Sequence, residues 1–259
     1  IFLLSVICPL LLDIYVDWSW FTAIEHTELF TVRLQTQVVL WVVSFVLTWF
    51  FVYWNLNTVV KSKKIRLDRL IDQMEISMNE QTVKKLLDKL PLFVSLFPAW
   101  LIAQLSSNQW LYALAFWDRE TFGNQDSVFG NDVGYYVFQY PMLSFVQGIS
   151  TQVVFLTLLL VGVFGFFRDV FLEEGKLGVD ESTRKQGLLL GGRRFIKNER
   201  GWYLERYETL FEKNGVVWGA GYTDINAQIP SYYVMMVISI AVGAYIITQR
   251  KNEGWGGVG

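Results

Sequence analysis

From Tyr140 to Phe167 the chain contains no Asp, Glu, Lys or Arg. A bilayer core about 30 Å thick is crossed by about 20 mostly apolar helical residues. Within it every backbone N–H and C=O must be satisfied by the segment itself, which a helix does. Four further segments fit the same description. Ile1 to Val16 is apolar but for Ser5 and Asp13 and leads into Asp17-Trp18-Ser19-Trp20-Phe21, and Gln37 to Trp54 is uncharged. Leu90 to Leu105 is shorter and holds Pro98, expected to kink it, and Ile229 to Thr248 opens with Pro230. The fold class is therefore all-α, a multi-pass transmembrane helical bundle with five clear spans.

Composition supports this through its distribution. Of 259 residues 53% are hydrophobic and 18% charged, against about 25% charged in globular domains, and the charges sit in blocks between the spans. A net charge of -2 gives no electrostatic footprint for nucleic acid. The expected partners are the lipid bilayer and other membrane subunits. Cys8, the single cysteine, lies in an apolar run and reads as a small core residue; no disulfide framework exists.

Orientation follows from Lys and Arg near the span ends. Lys61, Lys63, Lys64, Arg66 and Arg69 follow the second span, and Arg168, Lys176, Arg184 and Lys185 follow the fourth. The loops 17–35 and 106–139 carry Arg33 and Arg119 as their basic residues. The N-terminus is thus cytoplasmic and those two loops lie outside. Arg250 and Lys251 then place the end of the last span inside, so parity requires a sixth crossing between Arg184 and Phe211. That stretch contains Arg193, Arg194, Lys197, Glu199 and Arg200. At about 2.5–3.5 kcal/mol for each charge at the bilayer centre, these residues are not expected to form an ordinary span. The expectation is either an interfacial hairpin over 187–201 with the last helix inverted, or an abnormal sequence there.

The bundle occupies 1–251 and the tail 252–259 reads as irregular. Residues 61–90 form a cytoplasmic amphipathic segment, with Leu67, Leu70, Ile71, Met74 and Met78 at helical spacing. Trp18, Trp20, Trp54, Tyr135, Tyr136, Tyr140, Tyr232 and Tyr233 sit near span ends, where aromatic side chains anchor helices at the headgroups.

The outer loop repeats Phe-Gly-Asn at Phe122 and Phe129. Asn124, Asp126, Asn131 and Asp132 are weak candidates for oxygen ligands to calcium, but the spacing is not that of an EF-hand and these residue types build turns. His26, the single histidine, stands beside Glu25 and reads as a solvated loop residue. No phosphate-cradling glycine loop, CxxC or Gly-x-Ser-x-Gly occurs. No catalytic, cofactor-binding or firm metal site is expected; bound lipid or pigment are the compatible ligand classes. Gln104, Gln147 and Gln152 are polar residues within or near the spans, of a kind that more often joins helices than coordinates a substrate.

Asp17-Trp-Ser-Trp-Phe, Thr31-Val-Arg-Leu-Gln-Thr-Gln, Phe122-Gly to Tyr140-Pro141, Trp202-Tyr-Leu-Glu-Arg-Tyr-Glu, Gly219-Ala-Gly-Tyr-Thr-Asp224 and Pro230 occur in one order. From Asp13 to about Ile247 that order resembles uncharacterised protein family number 0182, large bacterial and cyanobacterial membrane proteins. The resemblance implies about seven helices followed by a large extracytoplasmic domain; the family has no established activity, so it assigns no functional residues. In the family the stretch before Trp202 is an apolar helix, unlike Arg193 to Arg200 here. The seventh helix and the outer domain are missing, and with Ile1 first the chain reads as part of a longer one.

The expected function is that of a structural or accessory membrane subunit without catalytic chemistry, peripheral to a larger complex (photosystem-type in a photosynthetic organism). The alternative is a transport or channel component with a polar path through Pro98, Gln104 and the glycines of the fourth span. The expected location is the bacterial cytoplasmic membrane or the cyanobacterial thylakoid membrane.

Overall fold

A computed structural model describes residues 2–61, 80–172, 181–214 and 217–252. Nearly all of them are helical. The long helices are α1 (Phe2–Ala23), α2 (Thr27–Lys61), α3 (Glu80–Ser107), α5 (Tyr140–Leu172), α6 (Glu181–Glu205) and α7 (Ile229–Asn252), with a short α4 (Trp110–Trp117). Extended structure among the described residues is a two-residue hairpin, Lys213–Asn214 with Val217–Trp218, and an isolated Gln125–Asp132 bridge. Most of the amphipathic segment 61–90 and of the tail 252–259 lies outside the described residues.

Among the described residues four helices are long and apolar enough to cross a membrane: Thr27–Val60, Asp88–Ser107, Tyr135–Phe166 and Asp224–Gln249. Their outward faces are apolar, with Leu47 at 65%, Phe97 at 66% and Val237 at 67% exposure. Such a surface suits a hydrocarbon solvent. Cys8 is exposed on α1, which corrects its reading as a core residue. α3 continues through both Pro91 and Pro98.

The prolines at the starts of α5 and α7 share one local solution. Pro141 and Pro230 lack an N–H, and their rings crowd the carbonyl four residues back. In both places the preceding turn widens to i→i+5 bonding, over Tyr135–Gln139 and Asp224–Gln228. Tyr140 N–H donates to the Tyr135 carbonyl and Ile229 N–H to the Asp224 carbonyl.

The chief correction concerns residues 187–201. They belong to α6, a continuous helix of 25 residues, about 37 Å long at 1.5 Å per residue. At its start Gln186 Nε2 donates to Asn55 Oδ1 on α2, and Thr183 sits against Gly165 of α5. Its far end leads to Arg206, beside Tyr233 near the start of α7. α6 therefore runs opposite to both α5 and α7. It crosses α7 at a pair of glycines. A Cβ added to Gly192 would lie 2.9 Å from the Gly243 carbonyl oxygen, and one added to Gly243 would lie 2.8 Å from that of Gly192. Only glycines let two backbones approach this closely.

The core is split between the two ends. Near the Asn55 end Val52, Leu56 and Val59 of α2 pack with Val161 of α5 and Leu190 of α6. At the opposite end the core is aromatic: Tyr136, Tyr140 and Tyr207.

Candidate functional site

The loop before α5 owes its shape to two carboxylates. Asp126 accepts from the N–H groups of Val128 (2.9 Å), Phe129 (2.6 Å) and Asn131 (2.9 Å) and from the Tyr136 hydroxyl (2.6 Å). Asp132 accepts from Phe122 (3.0 Å), Gly123 (2.8 Å) and Gly134 (2.7 Å) N–H groups. Burial pushes the Asp126 carboxyl up, but these four donors outweigh it and hold it below its ordinary value. For Asp132 the Phe122 N–H leads, burial opposes, and Gly134 and Gly123 complete the lowering. The two glycines of the Phe-Gly-Asn echo take left-handed φ of 74° and 70°, so the echo is a pair of turns. Gly134 has a separate reason to lack a side chain, since a Cβ there would lie 2.2 Å from the Glu120 carbonyl oxygen.

The four weak metal candidates sit within this loop. Asp126 and Asp132 face hydrogen donors, and Asn131 Nδ2 donates to the Tyr136 hydroxyl at 3.2 Å. The Asn124 backbone carbonyl accepts from Val133 N–H at 2.9 Å. Among the described residues no three His, Cys, Asp or Glu side chains form a group suited to a metal ion.

Tyr207 is the centre of the aromatic core. Five rings meet it edge-on: Phe129 at 4.9 Å, Tyr135 at 5.4 Å, Tyr136 at 5.6 Å, Tyr203 at 5.8 Å and Tyr140 at 5.9 Å between centroids. Edge-to-face contact sets the positive rim of one ring on the negative face of the next. The neighbouring Arg206 is 8% exposed. Its guanidinium carbon lies 3.9 Å from the Tyr203 centroid, 4.7 Å from Tyr207, 5.1 Å from Phe129 and 5.4 Å from Tyr233. It donates to the hydroxyls of Tyr207 (2.8 Å) and Tyr233. Burial works against the charged guanidinium, but the Tyr207 hydroxyl and the surrounding phenols outweigh it and keep the charge in place. A buried cation is tolerable when π faces and hydroxyls replace its water.

This cluster joins four parts of the chain: the loop before α5 through Phe129, the start of α5 through Tyr135, Tyr136 and Tyr140, the end of α6, and the start of α7 through Tyr233. Tyr140 also donates to Glu208 at 3.2 Å. Chemically the arrangement is a clamp, with the two terminal guanidinium nitrogens engaged by tyrosine hydroxyls and Arg206 Nε buried without a hydrogen-bond partner. Tyr136 and Tyr140, grouped by sequence with the interface anchors, are 7% and 9% exposed and turned into the clamp. Trp18, Trp20, Trp54 and Tyr233 keep 45–62% exposure, while Tyr135 and Tyr232 are half-buried. Arg206 and Tyr207 went unassigned in the sequence reading. Their signal was the spacing of Tyr203 and Tyr207, matched by Tyr136 and Tyr140, which puts ring pairs on one helix face.

The three span glutamines do not converge. Gln104 and Gln152 are exposed, and Gln147 Nε2 donates to the Lys197 carbonyl at 2.6 Å, tying α5 to α6. His26 is exposed in the turn between α1 and α2, after Glu25 at φ 60°. Asp13 lines a small cleft with Asp17, Arg33 and Gln37, where Arg33 pairs with Asp17 at 3.2 Å.

Known proteins share this chain's sequence along nearly its whole length. A UPF0182 protein of Corynebacterium efficiens is 30% identical over 245 residues, covering 93% of this chain and 25% of its own length. One from Pelobacter propionicus is 28% identical over 91% of this chain and 26% of its own length. One from Trichodesmium erythraeum is 26% identical over 91% of this chain. The chain thus spans about a quarter of the length of these relatives. No solved structure matches it. The model of the uncharacterised protein family UPF0182 matches residues 1–257, and the chain belongs to that family.

Proposed function

We propose that this chain is the helical membrane portion of a structural or accessory subunit in a bacterial cytoplasmic membrane. In this reading the N-terminus is cytoplasmic and six helices cross the bilayer, with α1 the first and α6 the fifth in order. The observation that carries it is the direction of α6. It runs from the Asn55–Gln186 contact to the Arg206 clamp, the full height between the two ends of its neighbours. That supplies the crossing demanded by Arg250 and Lys251 at the end of α7. The charges of α6 are compatible with a crossing if another surface covers them, since Arg193 and Arg200 are exposed and a bare charge at mid-depth is costly. A partner membrane protein is the proposed cover. The clamp supports a structural role, because both terminal nitrogens of Arg206 are taken up by the Tyr233 and Tyr207 hydroxyls and only its Nε, itself buried, has no hydrogen-bond partner.

Topology is tested with the full-length protein in intact cells by single cysteines in a Cys8→Ser background. Ser127→Cys and Asn226→Cys are expected to react with a membrane-impermeant maleimide, and Ser62→Cys after permeabilisation. Opposite labelling of Ser127→Cys and Asn226→Cys would remove α6 as a crossing. Cross-linking from Arg193→Cys tests the partner, and capture of lipid with no protein at that position would count against an accessory role.

A further inference from the structure

A groove of about 310 Å³ runs between α2 and α5, backed by α3. It lies in the size range of small-ligand sites, roughly 300–1,000 Å³. Its walls are apolar, with Val43 and Leu47 from α2 and Phe145, Val146 and Val153 from α5. One charged residue lines it: Lys197 of α6. Among the described residues no carboxylate lies within ion-pair distance of Lys197. The backbone there is fixed, because Gln147 holds the Lys197 carbonyl. Gln147 is seven residues along α5 from Tyr140, about 10 Å at helical rise, so Lys197 lies below the aromatic end within reach of the headgroup layer by extending its stem upward.

An apolar trough with a single cation towards the headgroups is complementary to an amphiphile with a negative head. Water does not suit the walls, and a zwitterionic phospholipid brings its own ammonium to its phosphate, whereas an anionic one leaves that charge to Lys197. We infer that the groove holds an anionic phospholipid of the leaflet on the Tyr140 side, the phosphate on Lys197 and one acyl chain running deeper against Leu47, Phe51, Val153 and Val154. This goes beyond the subunit reading and does not depend on which side of the membrane faces the cytoplasm.

The test uses the full-length protein in mild detergent, with native mass spectrometry after equilibration with phosphatidylglycerol or phosphatidylcholine. Retention of phosphatidylglycerol is expected to exceed that of phosphatidylcholine by about fivefold, the effect of one basic side chain at an anionic surface. Lys197→Gln should abolish the preference, Lys197→Arg restore it, and Arg193→Gln leave it unchanged. In the wild-type protein, phosphatidylglycerol with a photoreactive acyl chain should mark peptides from 40–51 and 142–154. Equal retention of both lipids, a preference that survives Lys197→Gln, or labelling confined to other helices would each overturn the inference. So would displacement by equimolar oleate, which would assign the groove to a fatty acid. Cysteine sidedness is untouched by all these results, so this inference and the six-crossing reading fail separately.

Discussion

α5 and α6 lie side by side, run in opposite directions and reach between the same two ends of the bundle, yet their sequences are nearly opposites. α5 has no charge from Tyr140 to Phe167, whereas α6 carries Arg193, Arg194, Lys197, Glu199 and Arg200. α5 is a helix that solvent transfer alone would put in a bilayer. α6 is held by particular contacts: the glycine crossing with α7, the Gln186–Asn55 and Gln147–Lys197 hydrogen bonds, Trp202 Nε1 donating to Ser239 Oγ at 3.1 Å, and the Arg206 clamp. Arg194 sets its guanidinium carbon 5.1 Å from the Phe155 ring centroid on α5, with its Nη1 buried and without a hydrogen-bond partner. The lesson is that average hydropathy places the first kind of helix and close-range packing the second.

The largest effect that tests this contrast is steric. Gly192→Leu puts its Cβ at 2.6 Å from Ile247 Cγ1 and 2.9 Å from the Gly243 carbonyl oxygen before any further atoms are added. Overpacking against backbone is expected to cost about 3 kcal/mol or more, seen as a large drop in the thermal midpoint of the detergent-solubilised protein. Gly162→Ala on α5, where a Cβ meets nothing within 4 Å, is expected to be neutral or slightly stabilising through helix propensity. Equal sensitivity at both glycines would erase the distinction between the two helices.

Next comes the clamp. Arg206→Ala strips the cation from four rings and leaves the Tyr207 and Tyr233 hydroxyls without their donor, an expected loss of about 2–3 kcal/mol. Arg206→Lys keeps the charge but loses the planar fork that reaches both hydroxyls, so it should fall between. Chemical unfolding followed by tyrosine fluorescence reads both. An Arg206→Ala protein as stable as wild type would mean that the end of α6 is held by the rings alone.

This contrast also explains what was legible in the sequence. The long apolar runs that became α2, α5 and α7 are visible because hydropathy is a sum over neighbours in the chain. α6 was unreadable by that sum, since Gly192 meets Gly243 and Gln186 meets Asn55 across large sequence separations. The charges at Arg193 to Arg200 argued against a helix that those contacts build. The clamp was half legible. Tyr135, Tyr136 and Tyr140 stand out as aromatic residues beside a proline, but nothing local says that Tyr136 and Tyr140 turn inward to meet Tyr207. Asp126 and Asp132 read equally as turn-formers or as cation ligands until their N–H donors are seen.

A smaller effect is expected in the loop that feeds the clamp. Asp126 sits below its ordinary value of 3.8, so its native bonds favour folding while it is ionised. That contribution is complete above the ordinary value and disappears as pH falls through the lower native one. Asp126→Ala should cost about 1 kcal/mol or slightly more at pH 6, read as faster hydrogen exchange at Val128, Phe129 and Asn131. Below the native carboxyl value, wild type and variant should converge. A gap that widens on acidification would reverse the assigned sign.

The smallest expected effect lies at the opposite end of α6, where Asn55 and Gln186 are 3% and 6% exposed. Asn55 Nδ2 also donates to the Phe51 carbonyl of its own helix at 2.7 Å, leaving its Oδ1 as the acceptor for Gln186. Such interhelical bonds average about 0.6 kcal/mol and reach about 1.7 in membrane bundles, because the separated helices find other partners. Asn55→Leu, Gln186→Leu and the double variant form a cycle that isolates the pair from the loss of each side chain alone. A coupling of about 0.6 kcal/mol or more would show that α6 is anchored polar-to-polar at this end as it is by the clamp at the other. A coupling near zero would shift that anchoring to Leu190 and its apolar neighbours, and this end of α6 would then be held as α5 is.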